Sequence, residues 1–126
     1  MSMIEIVLGG SDNPESKKIG DEAKTRGAIV GETFSEILPA LQAILKETKT
    51  PQLILSGGDL GICLRLAVEY AIAEGLPVSV DLGHSRIDPF DRGDKPNERR
   101  KDERLLALTS EMRPEVRESS NFKIVS

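Results

Sequence analysis

Glycine-rich loops follow several apolar runs of this sequence, and their residue types suit the capture of an anion. They are Gly9-Gly10-Ser11-Asp12-Asn13, Ser56-Gly57-Gly58-Asp59-Leu60-Gly61 and Gly83-His84-Ser85-Arg86. The second is the most informative. Gly57, Gly58 and Gly61 permit positive φ and the close approach of another group. A helical pattern starts at once, so its first free N–H groups point back toward the loop. That arrangement cradles phosphate or another anion without a lysine. No Gly-Lys-Ser/Thr follows, which excludes a P-loop, and the glycine register differs from the dinucleotide fingerprint. Gly57, Gly58 and Gly61 are thus candidate backbone donors, with Ser56 and Asp59 as candidate contacts to ribose or phosphate. Gly9, Gly10, Ser11 and Asp12 make a similar candidate site, although the same residues also suit a plain turn that caps the next helix.

Two nucleophilic or basic side chains stand nearby in sequence. His84 is the single histidine and follows an apolar run, where it is either an acid–base group or polar surface. Cys63 stands in the first turn of a helix, a position from which a thiol can act as a nucleophile. It also lies on that helix's apolar side, as a buried structural thiol would. No metal site is expected, because one His, one Cys and scattered acids give no recognisable ligand spacing. No resident cofactor is expected either. Residues 86–104 carry Arg86, Arg92, Lys95, Arg99, Arg100, Lys101 and Arg104 against six acids. This is either a solvated face laced with ion pairs, or a source of Arg86, Arg99 or Arg100 to neutralise a phosphate.

Such loops need strands to hold them. Ile4–Leu8, Leu53–Leu55, Val78–Leu82 and Phe122–Val125 read as strands, with Ala28–Val30 as a weaker fifth. Near-continuous apolar runs of this length suit strands buried on both faces of a parallel sheet. Between them Phe34, Ile37, Leu38, Leu41, Ile44 and Leu45 form one helical stripe, opened by a capping box at Thr33-Phe34-Ser35-Glu36. A second helix, Gly61 to Glu74, is apolar over most of its circumference, which suits cover by a neighbouring helix or another subunit. Asn97 to Met112 reads as a densely charged helix. Asn13 and Pro14 open a segment, through Arg26, whose apolar residues are only Ile19 and Ala23, so it is mostly exposed or irregular. The alternation predicts one three-layer α/β domain over 1–126, with about five mostly parallel strands.

Composition narrows the field. At 126 residues the chain suits one core. A single cysteine excludes an internal disulfide and fits a reducing cytoplasm. No apolar stretch is long enough for a membrane helix, and the first residues lack a signal-peptide layout. With a net charge of −4 and a pI near 5.1, neither a membrane nor nucleic acid is an expected partner. The expected partners are a nucleotide-like small molecule and, through the apolar helix, a second copy of the chain.

The pattern Leu53-Ile54-Leu55-Ser56-Gly57-Gly58-Asp59-Leu60-Gly61-Ile62, then Leu66-Ala67, Tyr70-Ala71 and Gly75-Leu76-Pro77-Val78, resembles the SLOG superfamily of Rossmann-like domains, especially its YpsA-related branch. The resemblance covers residues 53–78 and implies binding of nucleotides or nucleotide-derived signals at the glycine turn. It would match Gly9-Gly10-Ser11 to the family's first glycine/serine loop. Asn97 would fall near that branch's Arg-Asn pair, although Pro96 precedes it here. The Pro-Gly-Gly-x-Gly-Thr-x-x-Glu motif of the phosphoribohydrolase branch is absent, so hydrolysis of that type is not implied. The spacing of Cys63, Ala71 and Gly75 also resembles the isochorismatase-like cysteine hydrolases. That likeness implies Cys63 as nucleophile, with Asp12 and Lys17 or Lys18 in supporting positions. Val7-Leu8-Gly9 with Leu55-Ser56-Gly57-Gly58 is similar to the SanA/YdcF-like family, whose further elements are hinted at by Ser85-Arg86 and Asn97. All three imply a Rossmann-like sheet.

Overall fold

The computed structural model describes residues 3–8, 14–47, 51–86 and 98–125. In chain order these form β1 (Met3–Leu8), α1 (Pro14–Thr25), β2 (Ile29–Gly31), α2 (Phe34–Leu45) and β3 (Gln52–Asp59). A π-helical turn (Leu60–Leu64) leads into α3 (Arg65–Ala73), followed by β4 (Val78–Arg86), α4 (Glu98–Thr109), α5 (Pro114–Arg117) and β5 (Phe122–Val125). All five strands are parallel, in the order β2-β1-β3-β4-β5. The weak candidate at Ala28–Val30 is thus a true strand, pairing Ile29 with Ile6.

Register explains the core. Ile4, Leu53, Val78 and Phe122 stand side by side across four strands, and Ile6, Leu55, Val80 and Ile124 form the next row on the same face. Both rows meet Ile37, Leu41 and Ile44 of α2, Ala67, Val68, Ala71 and Ile72 of α3, and Leu108, Met112 and Val116. Val7 and Ala23 are buried as well but lie outside this cluster. They mark the second face. Right-handed crossovers demand this division: the chain moves one way from β1 to β2 and the other way from β2 to β3, so α1 and α2 fall on opposite faces. The result is a Rossmann-like α/β fold with helices on both sides of the sheet.

The second face differs from the expectation of strands buried on both sides. Its row Glu5, Ile54, Ser79 and Lys123 is mostly polar. The Gln52 side-chain amide donates to Ser79 Oγ at 3.1 Å, which satisfies a serine only 4% exposed. At the β1 end, Arg26 donates to both oxygens of Glu5 at 3.3 and 2.9 Å. That hydrogen bond, and then the attraction between the charges, raise the pKa of the Arg26 guanidinium. β4 therefore reads Val-Ser-Val-Asp-Leu in alternation because only one of its faces looks into the core.

Several helix ends depart from the sequence pattern. Thr33 caps α2 in extended geometry without a side-chain bond, and Glu36 accepts instead from the Glu32 N–H at 2.8 Å. The capping box is thus replaced by a bond one residue farther back. α1 is regular; of its described side chains only Ala23 is buried. The expected helix from Gly61 to Glu74 begins one residue earlier and in π form, then ends as expected. Gly75, at φ +88°, donates to Ile72 O, and Leu76 donates to Ala71 O, both at 2.9 Å. The single helix expected over 97–112 stops at Thr109, and Pro114 opens the separate short α5. Among the described residues no helix is long and apolar enough to cross a membrane.

Candidate functional site

In an open parallel sheet, ligands settle beyond the carboxyl ends of the strands where the strand order reverses. Here that reversal lies between β1 and β3, because β2 flanks β1 on one side and β3 on the other. Helices leave these two strands toward opposite faces, the arrangement that in open parallel sheets marks a ligand crevice. The loop after β3 is the Ser56–Gly61 turn. The loop after β1 holds Gly9, Gly10, Ser11 and Asp12, which lie outside the described residues, as does Asn97.

The geometry of the turn starts at the β1–β3 ladder. Ser56 pairs with Val7, and Gly57 with Leu8, the last residue of β1. Ser56 is 5% exposed, within the sheet. Gly57 has φ +82°, and a Cβ there would run into the Leu8 carbonyl oxygen. Its lack of a side chain is thus required by the neighbouring strand. Gly58 and Asp59 complete β3, and Gly61 falls within the π turn. A π turn leaves its opening amides differently spaced from those of an α-helix, and such turns are frequent at functional sites.

β4 brings the third loop alongside. From Leu55 to Gly57 β3 advances two residues, while from Val80 to Ser85 its partner advances five. After this bulge Gly57 stands opposite Ser85, and past a second register shift Asp59 stands opposite Arg86. Bulges commonly bend a strand and re-aim it next to a site. The backbone therefore collects Gly57, Gly58, Asp59, Gly61, His84 and Arg86 at one end of the sheet. Arg99 stands in the first turn of α4, which packs on the π turn and on β4.

Cys63 is half-buried in the π turn, packed against the core, and is a free thiol. Among the described residues no cluster of His, Cys, Asp and Glu is arranged to hold a metal ion. One feature escaped the sequence reading. Arg104, within the charged stretch, is 0% exposed and is the largest fully buried side chain described. The signal was its position: Leu108 and Met112 follow it at i+4 and i+8, so it lies on a core stripe.

No protein-family model matches the chain, and no curated protein matches it either.

Proposed function

We propose that this protein binds a nucleotide or nucleotide-derived phosphorylated ligand in the crevice between the ends of β1 and β3. The observation that carries this reading is the coincidence of the Ser56–Gly61 turn with the point where strand order reverses. Backbone amides from Gly58 through Gly61 offer hydrogen bonds to phosphate oxygens, and Ser11 and Asp59 serve the sugar or phosphate. Arg86, opposite Asp59 in the ladder, and Arg99 add positive charge. Gly9 and Gly10 let the β1 loop approach the ligand, and Asn97 adds a polar contact. The resemblance of residues 53–78 to the SLOG superfamily supports the same ligand class.

Calorimetry against a panel of nucleoside mono-, di- and triphosphates tests this. At least one should bind, Gly58→Val should abolish the binding without unfolding the chain, and Cys63→Ser should leave it unchanged. A panel without a ligand defeats the proposal. Loss of binding in the Cys63 variant would instead favour the cysteine-hydrolase alternative.

The reading includes a cytoplasmic homo-oligomer, supported by the lone cysteine and by apolar side chains left outside on the π turn and α3. Ile62 is 56% exposed and Leu66 39%. Burying what remains exposed of such side chains is favourable by about 1 kcal/mol each. Sedimentation equilibrium at micromolar concentration should give a multiple of 13.7 kDa, and Ile62→Asp should return the monomer. A monomeric wild type removes this part of the proposal.

A further inference from the structure

We infer that Arg104 is a positioning residue, an internal clamp that holds the π turn, and with it the glycine turn, in its binding geometry. The inference rests on the ligand site proposed above, and goes beyond it by assigning a function to a side chain no ligand touches.

The observations are these. α4 packs on the π turn and on β4, so the face it buries lies between them. That face holds Arg104 at 0% exposure and Leu108 at 0%, while Asp102 and Glu103 beside them are exposed. The Arg104 side chain ends in a guanidinium, a planar cation with five N–H donors. It has an interaction partner where it lies. Removing a cation from water is costly, and an apolar side chain of similar size would fill the same space more cheaply. The charge is thus better explained by what it orients than by packing. Helical side chains lean toward the helix N-terminus. α4 follows β4 and starts from the carboxyl end of the sheet, so the Arg104 side chain leans toward the end where the glycine turn lies. Its planar fork can hold several acceptors in fixed directions, which a lysine cannot. Arg104 in this role acts from within the core, whereas Arg86 and Arg99 are the charges proposed to meet the ligand itself.

Hydrogen exchange and calorimetry on Arg104→Met, Arg104→Lys and Leu108→Ala test the clamp. In Arg104→Met, protection of the Ile62, Cys63 and Leu64 amides should fall about tenfold while α2 amides keep theirs. Affinity for ADP and for inorganic pyrophosphate should also fall about tenfold. Arg104→Lys should reproduce both losses, and it replaces the methionine variant if that one does not fold. Leu108→Ala, on the same stripe, should lower the melting temperature further yet leave ADP affinity unchanged. Protection lost equally in α2 and the π turn, or retained in both, overturns the clamp. So does lowered protection with unaltered affinity, while the ligand site itself stands. If the wild type binds neither probe, the affinity arm is read with whichever nucleotide of the panel binds; if none does, the ligand proposal fails and the exchange pattern alone decides whether Arg104 holds the turn.

Discussion

Gly57→Ala should destabilise this protein by about 3–4 kcal/mol, the larger of two stability losses singled out for test. Two costs add. An L-residue at φ +82° pays roughly 1–2 kcal/mol for a left-handed backbone. The new methyl also meets the Leu8 carbonyl oxygen, and the nearest atoms are all Leu8 backbone held in the β1–β3 ladder. A strand cannot yield as a flexible side chain would, so overpacking contributes about 1–3 kcal/mol more. For a domain stable by about 5–15 kcal/mol this is a large fraction. Gly75→Ala is the internal comparison: φ is +88°, but nothing lies within 4 Å of the added carbon. Only the left-handed backbone cost applies, roughly 1–2 kcal/mol. Urea denaturation should show a much larger fall in midpoint for Gly57→Ala than for Gly75→Ala, with similar slopes. Equal falls would mean that the β1–β3 approach is looser than the register implies. Because this loss comes from the sheet, a binding defect in Gly57→Ala says little about ligand contact. Gly58 is the better probe of the crevice.

Gly57 also shows how far the sequence can be read. Its position at the end of an apolar run made the turn visible, since a strand entering a helix within a few residues needs unusual backbone. Which strand would lie beside it was not visible. The partner is Leu8, almost fifty residues away, and that pairing depends on the strand order. The adjacency of the β1 and β3 ends follows from the same order, so the sequence indicated the glycine turn but not the strand it would lie beside.

Local chemistry misled in a few places for identifiable reasons. Hydrophobic periodicity placed the helix after β3, yet a π turn leaves no distinct periodic mark because its extra residue merely shifts the stripe. Thr33 and Glu36 have the spacing of a capping box, but Glu36 found the Glu32 amide instead. Arg104 stands in a run of charged residues, and only its i+4 and i+8 spacing to Leu108 and Met112 marks it as a core position. At β4, Ser79 and Asp81 alternate with Val78, Val80 and Leu82, and that alternation marks a polar second face rather than a doubly buried strand.

Glu69 is a further case in which charge was hidden by an apolar surrounding, and it carries the second stability prediction. It is 7% exposed and receives Arg65 Nη1 at 2.6 Å on one oxygen and Arg113 Nε at 2.8 Å on the other. The first bond links one turn of α3 to the next, at the point where the π turn becomes α-helix. The second fastens α3 to Arg113, the residue that leads into α5. Breaking a buried pair costs about 3–5 kcal/mol, but half of the Arg113 side chain is exposed and water will compensate it. Glu69→Ala should therefore cost about 2–3 kcal/mol. Glu69→Gln should cost about half as much, because an amide oxygen can still accept from one arginine while its NH₂ group faces the other. The double-mutant cycle of Glu69→Ala with Arg113→Ala should return a coupling of about 1 kcal/mol. Raising the salt should change that coupling little, since screening acts weakly on a pair with one buried partner. The exposed Arg26–Glu5 pair should behave oppositely, with its coupling lost as ionic strength rises. A Glu69–Arg113 coupling near zero, or one that vanishes with salt, would show that α5 is held to α3 by packing of Val116 alone.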